Sequence, residues 1–262
     1  MARTRPRHYR MLSNDEKSKF DNRTRGLPQR AAGAMALAAD ALRLLLPPRC
    51  ALCAAACASG LLCAKCMSDM PVLVTACPRC ALATPDGATC GRCLVAPPPY
   101  ASTIAAWRYA FPADRLVQAL KYGGELALAE PLGDALARAV AQCGDRPDAI
   151  VAMPSSRERQ QRRGFNHAQE IARRVARVLD LPLVAGLART RDAPPQAGLP
   201  LRERTRNVRG AFVASRFDAR TVAIVDDVMT TGATLGAATR ALLAAGARSV
   251  EAWVVARTPP PR

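Results

Sequence analysis

VAIVDDVMTTGATL, residues 222–235, is the stretch from which the rest of the chain is read. Val222 to Val225 are all apolar, the pattern of a strand covered on both faces, as in a parallel sheet. Two carboxylates follow, Asp226 and Asp227, then threonines and small residues. From Gly232-Ala233-Thr234 the run "GATLGAATRALLAAGA" reads as a helix. A small-residue turn between strand and helix leaves backbone N–H groups free at a helix N-terminus, an anion site that most often takes phosphate. Carboxylates repel phosphate, so the pair makes sense only if the ligand also presents hydroxyls. A sugar phosphate offers both.

Outward from this stretch, the chain alternates between strand-like and helix-like segments from Ser102 onward. "STIAAWRY" (102–109), "DAIVAMP" (148–154), "PLVAGLA" (182–188), "GAFVA" (210–214), "TVAIVDD" (221–227) and "SVEAWVVAR" (249–257) read as strands. "PADRLVQALKY" (112–122), "ELALAEPLGDALARAVAQ" (125–142) and "NHAQEIARRVARVLD" (166–180) read as helices, the last with apolar residues at helical spacing. This order predicts a doubly wound α/β domain over residues 100–262, built on a mostly parallel sheet. Ligands of such sheets bind beyond the carboxyl ends of the strands. Two strand ends stand out, "VAMPSSR" (151–157) and "VDDVMTTGAT" (225–234).

Residues 47–99 have a different character. Cys50, Cys53, Cys63 and Cys66 are spaced C-x2-C, nine residues, C-x2-C, and Cys77, Cys80, Cys90 and Cys93 repeat that spacing 27 residues later. Two residues between thiolates let one turn aim both sulfurs at one metal, and two such turns complete a tetrahedron. The repeat predicts two sequential structural Zn2+ sites rather than one interleaved site. The competing reading, a disulfide framework, calls for an oxidising compartment and a secretion signal, and the first 30 residues are Arg-rich without an apolar core. Closed four-thiolate sites leave no position for a reactive water. Cys57 lies inside the first loop and is not expected to be a ligand, and Cys143 stands alone. With little other apolar material in this segment, metal is expected to supply much of its folding energy. "APPPY" (96–100) reads as a stiff linker.

The chain has 262 residues, a net charge of +17 and only 4% aromatic residues. Two readings of the charge are open: a genome composition rich in Ala and Arg, or attraction to polyanions such as nucleic acid and phosphorylated metabolites. Few aromatics argue against an extensive base-stacking surface. "AAGAMALAADALRLLLPP" is too short for a membrane helix and is broken by Asp40 and Arg43. Residues 1–30 read as a basic disordered tail and 31–46 as a helix; Met35 offers a second start. A cytoplasmic protein is expected.

At this point the residues carry a resemblance. "VAIVDDVMTTGATL" is similar to the phosphoribosyl pyrophosphate (PRPP) signature of the type I phosphoribosyltransferase fold. "LKYGGELALAEPLG", "RGFNHAQEIA", "PPQAGL" and "RNVRGAF" resemble the competence protein F (ComF, also GntX-like) family, whose members join a double zinc ribbon to this fold. The resemblance implies a PRPP site over Asp226, Asp227, Val228, Met229, Thr230, Thr231, Gly232, Ala233 and Thr234. In it the two aspartates would bond the ribose 2- and 3-hydroxyls. Thr230, Thr231, Gly232 and Thr234 would cradle the 5-phosphate. Met153, Pro154, Ser155, Ser156 and Arg157 resemble the pyrophosphate loop, with Mg2+ bridging ligand oxygens and taking little direct protein ligation. Thr230 stands where purine salvage enzymes often place an Asp, which argues against purine salvage. His167 replaces the family's usual Gln and is read as local variation; as the one histidine beyond the tail, it leaves no serine triad for Ser155 or Ser156.

Several segments keep two readings. "RERQQRRGFNHAQ" (157–169) is either a solvated loop or a contact for pyrophosphate or a nucleic-acid backbone, with Arg157, Arg159, Arg162 and Arg163 able to neutralise phosphates. Lys121 is either near the site or a plain capping lysine. Residues 189–210 are either a surface loop or a mobile lid bringing Arg202 or Arg206 to the substrate. Trp107 and Tyr109 read as buried strand residues rather than a stacking platform. The family implies a protein of DNA uptake and natural transformation that binds PRPP and single-stranded DNA, with competence machinery as partners. An active phosphoribosyltransferase, its acceptor unassigned, or a PRPP-sensing regulator uses the same loop.

Overall fold

The computed structural model describes residues 48–57, 60–144, 146–156, 160–161, 164–190, 210–217 and 221–260. The tail and helix expected over 1–46, residues 191–209 of the lid expected over 189–210, and Arg157, Arg159, Arg162 and Arg163 lie outside the described residues.

A four-stranded, all-parallel sheet forms the frame, in the order β1-β6-β5-β2. The strands are β1 (Ser102–Arg108), β2 (Ala149–Ala152), β5 (Thr221–Met229) and β6 (Ser249–Arg257); between them in sequence, β3 (Leu187–Arg189) and β4 (Phe212–Ala214) make a separate antiparallel pair. The fold is therefore the mixed α/β, mostly parallel architecture that the alternation of segments predicts. One strand differs. "PLVAGLA" splits: Leu183 bridges Ile150 at the free edge of β2, whereas Leu187 joins β3 in the other sheet.

β5 lies between two strands, which is why its sequence is apolar without alternation. Val222, Ala223, Ile224 and Val225 are all fully buried. Successive side chains point to opposite faces. Ala223 and Val225 join Ile150, Trp253 and Val255 in one core, and Val222 and Ile224 join Val250, Ala252 and Val254 in the other. The first core is covered by α3 (Ala113–Tyr122), α4 (Ala129–Ala141) and α5 (His167–Leu179), which place Leu116, Leu120, Leu132, Leu136, Ile171 and Val175 in it. The second is covered by α6 (Ala233–Ala244), through Leu235, Ala238 and Leu242. Arg174 of α5 ties the first layer together by two hydrogen bonds to Asp134 of α4, at 2.6 and 3.0 Å.

The cysteine segment is not an appendage. It belongs to the same compact unit, Arg49–Arg262, as the sheet. Met70 is buried in the first core, with Leu52, Leu61, Leu62 and Met67 packed around it. Val72 bridges Trp107 of β1. The apolar material of the first cysteine segment thus joins a shared core, whereas Leu82 packs with the cysteines of the second in a small cluster of its own. "APPPY" likewise packs instead of spacing: Tyr100 is buried against the second core.

Candidate functional site

The chemistry-bearing residues collect where β5 and β2 end side by side. Ala152 is in register with Val225, and the Met153 amide donates to the Val225 carbonyl at 2.9 Å. The "MPSS" turn therefore leaves the sheet beside Asp226. Its first carbonyl is fixed by Asn166, whose Nδ2 donates to Met153 O at 3.0 Å. Ser156 is buried and Pro154 and Ser155 are half-buried. His167, buried at the start of α5, stands edge-on to Phe165 with ring centroids 4.9 Å apart. The two strand ends singled out by their sequences are thus brought together; the arginines of 157–163 lie outside the described residues.

β5 runs four residues past Val225, through both carboxylates, to Met229. Asp226 turns back on its own backbone, its Oδ1 accepting the Asp227 amide at 2.9 Å. Asp227 is buried, and its Oδ1 meets Lys121 Nζ at 2.8 Å. Burial works against the lysine charge, but the Asp227 carboxylate outweighs it and holds Lys121 above its ordinary pKa. Lys121 closes α3 within the site; it is not a plain capping lysine. Side chains here are 21% and 12% exposed for the lysine and aspartate, so the pair is reachable from solvent.

After Met229 the chain turns through Thr230 and Thr231 to Gly232, which caps α6 at φ +78°. Non-glycine residues rarely adopt this left-handed conformation. The position is also crowded: a Cβ there would lie 2.5 Å from the Tyr100 hydroxyl oxygen and 3.2 Å from Met229 Cε. Gly232 thus serves both the turn and its close packing. Thr231 Oγ1 accepts the Ala233 amide at 3.3 Å. The first amides of α6 lack helical acceptors and, with the dipole, make this end electropositive. Asp226 and Asp227 stand on the strand side of the turn, so one short segment presents hydroxyl acceptors next to anion donors.

Behind the turn lies Arg257, the buried last residue of β6. Its Nη1 donates to Met229 O and Thr258 O, each at 3.0 Å, and to Thr230 O; its Nε donates to Cys80 O at 2.7 Å.

The eight cysteines form two sequential groups, Cys50/Cys53/Cys63/Cys66 and Cys77/Cys80/Cys90/Cys93, with the ligand atoms of each within 4.8 Å of one another. The 27-residue repeat extends to the backbone. Ala54 and Ala81 both have positive φ, 58° and 53°, and each amide reaches back 2.8 Å to the carbonyl of the first cysteine. The short helices α1 (Ala64–Ser68) and α2 (Gly91–Val95) start at equivalent positions. Amides aim at sulfur: Cys66 N to Cys63 Sγ at 3.4 Å, and Cys90 N to Cys77 Sγ at 3.3 Å. Burial resists ionisation of Cys50, yet amides of Cys63, Cys53 and Leu52 outweigh it and bring its thiol to about 6. Burial and the neighbouring sulfurs push Cys66 up, and Cys93 likewise in the second group. Four thiolates this close cannot all ionise without a cation, and the sulfur donor set and spacing fit a structural Zn2+ in each group. Cys57 is buried outside the first group and donates to Ala55 O at 3.8 Å.

Comparison with known proteins agrees with this layout. The double zinc ribbon domain family model matches residues 41–94, and the phosphoribosyl transferase domain model matches 131–261. Competence protein F of Haemophilus influenzae is 30% identical over 170 residues, covering 61% of this chain and 74% of that protein. The chain belongs to the competence protein F family. Another member, the DNA utilization protein YhgH of Escherichia coli K12, is 34% identical over 169 residues, covering 62% of this chain and 74% of its own; its Salmonella typhimurium counterpart is 32% identical over the same length. The phosphoribosyl transferase match begins inside α4, but β1, which precedes it, completes the sheet, and α3 brings Lys121 to Asp227. Among the described residues no helix is long and apolar enough to cross a membrane.

Proposed function

We propose that this chain binds PRPP with Mg2+ at the joined ends of β5 and β2, binds single-stranded DNA, and acts in DNA uptake in the cytoplasm. The observation that carries the ligand reading is the buried Asp227 and the adjacent Asp226 set directly before the Gly232 turn. Asp226 and Asp227 would bond the ribose hydroxyls, Thr230 to Thr234 would take the 5-phosphate, and Met153 to Arg157 the pyrophosphate. Mg2+ bound with PRPP would neutralise ligand charge, with little direct protein ligation. Zn2+ at each cysteine group is assigned a structural role, since neither group leaves an open ligand position. The DNA reading is supported by the names competence protein F and DNA utilization protein among the relatives, and by the +17 charge.

The reading is tested by thermal unfolding. Ligand specific to the native state stabilises it by about 2.7 kcal/mol at a hundredfold excess over Kd. PRPP with Mg2+ should raise the melting temperature, and replacing Asp226 and Asp227 with Ala should abolish the rise. A full response in the double variant overturns the ribose assignment. Ribose 5-phosphate acting as well as PRPP overturns the pyrophosphate role of Met153 to Arg157. An enzyme reading shares the same pocket, with Lys121 beside Asp227 as the group that favours it. Pyrophosphate release from PRPP in the presence of acceptors separates turnover from sensing.

A further inference from the structure

Arg257 ends β6 in the protein interior rather than in solvent. It is 4% exposed, and a buried guanidinium must recover its lost hydration from fixed acceptors. Burial pulls its pKa down, while the Cys80 thiolate works the other way. Its fork reaches two separate loops: the second cysteine knuckle, at Cys80 O, and the phosphate turn, at Met229 O and Thr230 O. Zn2+ held by four thiolates would leave a net negative centre at the cysteine group that carries Cys80, a counter-charge that carbonyls alone lack.

Other contacts run the same way. The Thr103 amide and hydroxyl of β1 donate to Pro78 O at 2.9 Å and Arg79 O at 2.7 Å. Of the residues that follow the second cluster, Tyr100 lies against Gly232 of the turn and Pro99 against Gly236 in the first turn of α6. The first cluster contacts the domain elsewhere. Arg108 N donates to Pro71 O at 2.8 Å, Arg138 approaches Met67 Sδ at 3.8 Å, and Met70 enters the core beneath α4.

We propose that Arg257 is a positioning residue through which the second cysteine cluster fixes the Thr230–Thr234 turn, so that the integrity of Cys77/Cys80/Cys90/Cys93 controls anion affinity beyond β5 and that of Cys50/Cys53/Cys63/Cys66 does not. With metal drawing the four sulfurs together, the knuckle holds Cys80 O in place. Arg257 then carries that constraint to the carbonyls of the turn, whose amides face the anion. The two clusters, alike in sequence, thereby have different roles. The identity of the anion rests on the phosphoribosyl reading above; the coupling itself does not.

Amide hydrogen exchange of the full chain tests this without any ligand. Arg257→Lys keeps the charge but cannot span both loops. With zinc content verified, it should speed exchange of the bonded amides at the turn, Ala233 to Thr231 Oγ1 and Gly236 to Gly232 O, by about tenfold, as expected for the loss of one charge-assisted contact. The α4 peptide should stay protected. Cys90→Ser should loosen the same turn, and Cys63→Ser should not. The proposal is overturned if Arg257→Lys leaves the turn unchanged, or if Cys63→Ser loosens it as much as Cys90→Ser does. Should a cysteine variant unfold, as loss of α4 protection would show, Arg257→Lys alone decides. PRPP affinity measured on the same proteins should fall in step with exchange. A turn that loosens as expected in a wild-type background that binds no PRPP supports the coupling and refutes the ligand reading.

Discussion

Replacing Gly232 with Ala probes the turn after β5 through two independent costs. The left-handed backbone, at φ +78°, costs a residue with a Cβ ~1–2 kcal/mol. The added methyl would also stand 2.5 Å from the Tyr100 hydroxyl oxygen, inside van der Waals contact, and overpacking of this kind costs ~1–3 kcal/mol. Together Gly232→Ala should destabilise by roughly 2–5 kcal/mol. At about 3 °C per kcal/mol for a domain of this size, the melting temperature should fall by roughly 6–15 °C. A double-variant cycle separates the costs. Tyr100→Phe removes the oxygen that the methyl strikes, so in that background the backbone share, ~1–2 kcal/mol, should remain with only the milder contact to the flexible Met229 Cε at 3.2 Å. Urea unfolding of the four proteins gives the coupling. If Gly232→Ala costs under ~1 kcal/mol, or the same with Phe at position 100, Tyr100 does not press on the turn and the packing account is wrong.

Metal analysis of purified protein should find two zinc ions per chain, with Cys57→Ser unchanged; one zinc, or loss of zinc in that variant, contradicts the grouping of sulfurs. A double-variant cycle of Lys121→Met with Asp227→Asn should yield a coupling of ~1–3 kcal/mol, less than for a fully buried pair because both groups remain partly exposed. Because Lys121 is held above its ordinary value of 10.5, that stabilisation is complete below 10.5 and is lost as pH rises through the folded value; a coupling already absent at pH 8 refutes the pairing. For single-stranded DNA, log affinity should fall with log salt at about −0.7 per phosphate, near −3 to −4 for roughly 4 to 6 contacts. Removing Arg159, Arg162 and Arg163 should cost more affinity than removing Arg3, Arg5 and Arg7 from the tail, and an equal loss from both sets refutes a dedicated site.

How legible each feature was follows from where its information resides. β5 and α6 were legible because an uninterrupted apolar quartet and a run of small helix formers each have one ready meaning. The cysteine groups were legible because ligand spacing repeats along the chain, and folding repeats it again in Ala54 and Ala81. Local sequence carried less at "PLVAGLA", where a strand-like composition serves two different sheets. "APPPY" misled for a related reason. Proline fixes the chain's direction whether the segment spans solvent or lies on a protein surface, and only the partner surface, Gly232 and Gly236, distinguishes the two.

Lys121 and Arg257 mark the limit of the sequence for a sharper reason. Lys121 ends a helix, where a lysine is favoured whatever lies beyond it, so its residue type is uninformative until Asp227 is placed 2.8 Å away. Arg257 follows an apolar strand and precedes a proline-rich terminus, where a solvated arginine is the ordinary expectation. Its acceptors are backbone carbonyls, which every residue possesses and no side chain announces. A carboxylate partner could have been sought in the sequence; Cys80 O and Met229 O could not. These contacts join a cysteine knuckle to the turn after β5, 149 residues apart counting Cys80 to Met229. That separation explains why the ribbon and the α/β domain read as two modules along the chain, although the groups holding the turn in shape come from both.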